Sequence, residues 1–199
     1  MNRPLLYAAL ALTLVLGVVA FYEFTKPVTF YGSRIDPPKP MAGFTLQSVD
    51  GPRSLDDFRG KPVVLYFGYT SCPDICPTTL AQLKLALEKL GEQKAQQMQV
   101  IFVSVDYRRD TPEEVDGYVK NFRPDFLGLT GSQSEIDQAT REFGLYYQLA
   151  DPDPKTGSYL VDHTTRLLFL DETGALVMTW PYETQVSELA SDLENLLKR

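Results

Sequence analysis

Soft metal ligands are scarce in this 199-residue chain, which contains two cysteines and a single histidine. That supply excludes a structural site of four thiolate or imidazole ligands and leaves room for no more than one disulfide. A basic stripe is missing as well. Lys and Arg total 19 against 26 Asp and Glu, a net charge of −7, and no cationic run interleaves with aromatics, so nucleic acid has no electrostatic footprint here. Repeats and low-complexity tracts are absent, and the length suits one globular domain plus an appendage.

Charge vanishes altogether from Leu5 to Tyr22. As a helix that run reaches about 27 Å, close to the thickness of a bilayer's hydrocarbon core. We read 1–24 as a transmembrane anchor; the rival is a cleaved signal peptide, with Arg3 in its n-region and Val18-Val19-Ala20 as a weak cleavage site. Arg3 favours a cytoplasmic N-terminus with everything after Tyr22 delivered across the membrane. No Arg-rich, Ser-rich amphipathic targeting stretch precedes the run, so the expected location is a bacterial inner membrane with the soluble domain facing the periplasm. Arg3 and Lys26 against Glu23 put residues 1–26 at +1, so the exported remainder carries −8. In an oxidising compartment a close thiol pair needs a reductant or a metal to stay out of a disulfide.

Pro27, Pro37, Pro38 and Pro40 make 25–40 an extended tether and leave 41–199 as the domain. Asp50-Gly51 supplies a turn for a small hairpin after Phe44 and Leu46. Pro62 to Phe67 is continuously apolar, as in a strand buried on both faces. Leu80, Leu83, Leu87 and Leu90 then recur at helical spacing, up to Gly91. Val100–Val105 reads as a second buried strand. Thr111-Pro112-Glu113-Glu114, and Ser132 with Glu135, are capping boxes opening helices to about Phe122 and Phe143, with a short strand at Phe126–Leu129 between them. Extended segments Leu145–Leu149 and Tyr159–Val161 flank the loop Asp151–Gly157. Arg166–Leu170 and Leu176–Trp180 form a hairpin, and Val186, Leu189, Leu193, Leu196 and Leu197 line a closing amphipathic helix. The fold class is α/β, a mixed sheet between helices.

The cysteines lie together in Cys72-Pro73-Asp74-Ile75-Cys76, where a strand gives way to a helix. As a plain disulfide, so short a loop would contribute only about 2 kcal/mol, a poor staple. On the first turn of a helix, residues four apart share a face, and the N-terminal N–H groups favour thiolate. His163 follows a buried-looking strand and is preceded by Asp162, a candidate to orient the imidazole. If the three groups converge, two thiolates and an imidazole suit trigonal Cu(I), with zinc carrying an open position as the alternative. A redox dithiol beside a proton-handling imidazole is equally consistent with these residues.

Three segments narrow the choice: Gly68-Tyr69-Thr70-Ser71-Cys72-Pro73-Asp74-Ile75-Cys76-Pro77-Thr78-Thr79-Leu80, then Val103-Ser104-Val105-Asp106 with Arg109-Asp110-Thr111-Pro112-Glu113, then Tyr159-Leu160-Val161-Asp162-His163-Thr164. Together they resemble the SCO/SenC family, membrane-tethered thioredoxin-like proteins that deliver copper during cytochrome c oxidase assembly. The resemblance runs from about Phe44 to the C-terminus and implies a thioredoxin-like mixed sheet. It implies copper, as Cu(I) or Cu(II), on Cys72, Cys76 and His163, with Asp162 and Asp74 beside the site. The implied partners are cytochrome c oxidase subunit II, an upstream copper donor and a thiol reductant. Tyr107, where the family often has proline, and the variant turn Asp171–Gly174 depart from its pattern without touching the ligands.

A thiol-disulfide oxidoreductase keeping a partner's copper-site cysteines reduced is the chief rival. Yet CxxxC replaces CxxC, and His163-Thr164 stands where such reductases carry a cis-proline. A peroxiredoxin would need threonine and proline where Tyr69 and Leu65 stand. A copper sensor that never transfers its metal remains a third class.

Overall fold

The computed structural model describes residues 3–25 and 28–198. A helix α1, Arg3–Thr25, opens the chain. The anchor expectation falls partly outside the described set, since the side chains at 5, 6, 9, 20 and 23–25 belong to it no more than residues 1, 2, 26 and 27 do. Over the described residues alone no helix is long and apolar enough to cross a membrane.

Six strands build the main sheet in the order β1-β10-β9-β4-β5-β6. The central β4, Val63–Gly68, is buried at every position, which is why its sequence is an unbroken apolar run. It pairs in parallel with β5, Gln99–Ser104, and antiparallel with β9, Arg166–Leu170. β6, Leu127–Leu129, extends the parallel half, and β10, Ala175–Pro181, the antiparallel half. A sheet mixed in this way between helices is the α/β architecture read from the sequence. β2, Thr45–Ser48, and β3, Gly51–Ser54, form the small hairpin expected at Asp50-Gly51.

Helix α2, Ile75–Leu90, stops at Gly91, whose φ of 90° suits glycine. Short α3 spans Glu92–Ala95. Both capping boxes form: Thr111 opens α4, Pro112–Lys120, and Ser132 opens α5, Gln133–Glu142. Helix α6, Val186–Leu196, packs its buried Leu189, Leu193 and Leu196 inward. β7, Tyr147–Leu149, and β8, Val161–His163, make a separate two-stranded ribbon.

The segment expected to be tether differs in its second half. Ser33–Pro40 is β1, the edge strand paired antiparallel with β10, with irregular register between Arg34 and Lys39. Prolines are tolerated there because an edge strand leaves one side of its backbone unpaired. The strand at 159–161 is displaced toward the histidine, with β8 covering Val161–His163.

Candidate metal centre

The site sits where β4 ends and α2 begins. Cys72 lies in the turn between them and is half-buried, while Cys76 is on the first turn of α2 and fully buried. The Cys76 amide donates to Cys72 Sγ at 3.4 Å, so the helix N-terminus points at the outer sulfur. Room for the inner sulfur comes from Gly68: a Cβ there would sit 2.7 Å from Cys76 Sγ. Tyr66, on the same face of β4 two residues earlier, donates its hydroxyl to Cys76 Sγ at 3.7 Å.

The ribbon β7–β8 brings His163 across. Its Nε2 lies 3.5 Å from Cys76 Sγ, and its Nδ1 lies 3.2 Å from the Thr164 carbonyl. A proton on Nδ1 satisfies that carbonyl and leaves the Nε2 lone pair facing the sulfurs, the tautomer a metal ligand requires. Tyr66 and Tyr69 rings flank the imidazole edge-on, at 6.3 and 5.8 Å between centroids. The Tyr69 hydroxyl feels both the Val161 amide and the Cys72 thiol, which shift its proton affinity in opposite directions, so it stands between the histidine strand and the cysteine turn. Ligand atoms of Cys72, Cys76 and His163 all lie within 4.8 Å of one another. Two sulfurs and one imidazole in that span fit a single soft ion.

The two thiols differ in character. A hydrogen bond from Cys76 leads the causes that push the Cys72 thiol down to about 5, joined by the Cys76 and Asp74 amides and the Tyr69 hydroxyl; burial opposes them. Cys76 is driven up, first by sharing its proton with Cys72 and then by burial. At neutral pH Cys72 is therefore the thiolate and Cys76 the thiol, with Cys72 Sγ and His163 Nε2 both within reach of its proton.

The remaining site candidates behave otherwise. Asp162 is exposed, and among the described residues no hydrogen bond joins it to the imidazole; successive strand residues face opposite ways, and the Thr164 carbonyl takes Nδ1 instead. Asp74 is exposed, with its carboxylate held by the Thr78 hydroxyl at 3.3 Å, and reaches Cys72 through its backbone amide. Gly68, Tyr66 and Tyr69 were missed as working residues. The signal was the two-residue alternation along β4, which puts Tyr66 and Gly68 on one face.

Over the sulfurs opens a groove of about 260 Å³ with largely apolar walls, among them Pro73, Ile75 and Leu160. A larger cleft of about 370 Å³ lies beyond the opposite end of β4, beside Pro62, Phe169 and Leu196, and carries neither thiol nor imidazole. The chemistry belongs to the smaller groove.

Comparison with known proteins matches the SCO1/SenC family over residues 33–198. This chain belongs to the SCO1/SenC family. It is 32% identical to an SCO2-like protein of Rickettsia prowazekii over 92% of this chain and 93% of the relative. Among solved structures, apo Sco1 from Thermus thermophilus is 45% identical with a TM-score of 0.77, covering 84% of this chain and 97% of its own. Arabidopsis thaliana ScoI, solved with copper bound, is 33% identical with a TM-score of 0.73, covering 79% and 98%. SCO1/SenC relatives thus hold copper, and this chain presents a Cys, Cys and His group able to hold a metal.

Proposed function

We propose that this chain is a membrane-anchored copper metallochaperone that loads the copper site of cytochrome c oxidase subunit II. Cys72, Cys76 and His163 are its copper ligands. The observation that carries the reading is the meeting of two sulfurs and an imidazole at the floor of an open groove. The copper-bound relative supports the choice of metal. A shallow site with three ligands suits cargo: it leaves copper approachable by an incoming thiolate, so ligands exchange one at a time. The anchor is the uncharged run Leu5–Tyr22 within α1, and the copper domain faces the periplasm.

Metal analysis and absorption spectra of the full chain, given equimolar copper after reduction, test the ligands. Cys72→Ser, Cys76→Ser and His163→Ala should each lose tight binding, and retained binding in all three rejects the site. Mixing the loaded protein with a subunit II domain should then move copper, whereas stable retention favours a sensor.

A second reading, reduction of the partner's disulfide, draws on the unequal thiols. The Cys72 thiolate attacks one partner sulfur, forming a mixed disulfide and expelling the other as thiolate. Cys76 then loses its proton and attacks Cys72, closing a Cys72–Cys76 disulfide and releasing the partner reduced by two electrons. An upstream thiol reductant must reset the pair. His163→Ala should leave this exchange intact while copper binding falls.

A further inference from the structure

A second bonded cluster lies beside the metal centre and grips both of its halves. Asp106 and Asp110, in the loop after β5, are buried. Asp110 accepts from the Thr70 amide at 2.8 Å, from the Thr70 hydroxyl at 2.6 Å, and from Ser104 Oγ. Thr70 stands two residues before Cys72, so this carboxylate fixes the approach to the cysteine turn. Asp106 accepts from the Tyr159 hydroxyl at 2.7 Å and from Arg109 Nε at 2.5 Å. Arg109 Nη1 then donates to the Tyr159 carbonyl at 3.0 Å, with its guanidinium carbon 3.6 Å from the centroid of the Tyr159 ring and 5.8 Å from that of Tyr69. Tyr159 stands four residues before His163.

The need for such a grip follows from topology. Among the described residues β8 pairs only with β7 and is not a strand of the main sheet, so no hydrogen bond to the main sheet sets how far His163 stands from the sulfurs. Ahead of β8 lies the exposed loop Asp151–Gly157, a weak constraint on register. Arg109 holds the strand at its entrance by a backbone carbonyl and a ring face together, and it also lies within cation–π range of Tyr69, whose ring flanks the imidazole. A planar fork can make these contacts at once, and a lysine ammonium cannot.

We propose that Arg109 is a positioning residue of the metal centre: braced by Asp106, it registers the His163 strand over the sulfur pair. The metal-based readouts rest on the copper reading above; the apo readout does not.

The test compares the full chain with Arg109→Ala and Arg109→Lys by chelator competition, Cu(II) paramagnetic resonance and nuclear magnetic resonance of the apo His163 ring. Arg109→Ala should weaken copper about 10–100-fold, the usual cost of losing support behind a ligand. Thiolate-to-copper absorption should persist while imidazole-nitrogen coupling fades, and the apo ring signals should shift away from those set by Tyr66 and Tyr69. Arg109→Lys should recover only part of each. A lowered melting temperature with unchanged nitrogen coupling and unchanged ring signals would make Arg109 merely structural and overturn the proposal. If the alanine variant does not fold, wild-type affinity and coupling in the lysine variant overturn it equally. A wild-type chain that takes up no copper fails the copper reading instead, and the apo ring signals still decide this one.

Discussion

Cys72 and Cys76 stand four residues apart yet hold their protons with opposite strength, and the difference is led by the hydrogen bond between them, with burial next and the surrounding donors after it. Donors converge on Cys72, and its thiol falls from the ordinary 9.0 to about 5; Cys76 is buried and is driven the other way. Alkylation of the reduced apo protein should therefore select Cys72, with a midpoint near pH 5. A midpoint near the ordinary thiol value contradicts the assignment. The sign for stability follows: the folded state prefers the thiolate, so this contribution is complete above pH 9.0 and is lost as pH falls through about 5. Copper uptake at neutral pH should accordingly release about one proton, from Cys76, rather than two. Calorimetry in buffers of different ionisation heat measures the number. Gly68 carries a further prediction. Gly68→Ala places its methyl 2.7 Å from Cys76 Sγ and 2.8 Å from the Phe102 ring, so both must give way. The cost expected of such overpacking is about 1–3 kcal/mol, and copper affinity should fall with it. An alanine variant with wild-type melting and affinity would show that the sulfur has slack.

Elements with a local physical cause were legible from the chain. The unbroken apolar run announces β4, the leucine spacing α2, and two reciprocal side-chain caps the starts of α4 and α5. Thr111→Ala removes one such cap and should cost about 1 kcal/mol, read as a melting shift, while copper binding stays. A larger loss of copper binding than of stability would tie the cap to the metal centre. Elements whose cause is tertiary were not legible. β1 carries prolines that read as tether, and only the free edge of β10 makes it a strand. The meeting of Cys72, Cys76 and His163 was legible through the motif, but the Arg109 fork beside it was not, because it joins residues far apart in the chain. Asp162, the neighbour in sequence, makes no hydrogen bond to the imidazole among the described residues, because strand alternation turns it outward.

At the scale of the whole molecule, β1 changes where the domain starts. Asp192 is fully buried on α6 and accepts from the Tyr31 amide at 3.0 Å, the Gly32 amide at 2.8 Å and Trp180 Nε1 at 2.8 Å. Gly32 lies so close to the Trp180 ring that a Cβ there would clash, so the chain is clipped to the domain at this point before it runs on as β1. On the anchored reading, only the residues between Thr25 and Tyr31 remain as leash, at most about 20 Å when extended. The domain then sits close to the membrane rather than at the end of a long tether. A domain cut at Met41 loses β1, strips Asp192 of its two backbone donors and exposes the β10 edge to intermolecular pairing. Residues 28–199 should therefore melt higher and aggregate less than 41–199, measured side by side. In the longer form Asp192→Asn should cost about 1–3 kcal/mol, because the asparagine oxygen can replace the one that takes Gly32 and Trp180 but its NH2 then faces the Tyr31 amide, and a charged acceptor becomes neutral. Equal melting of the two lengths would mean that β1 adds nothing to the sheet, and the tether would then reach back to Pro40.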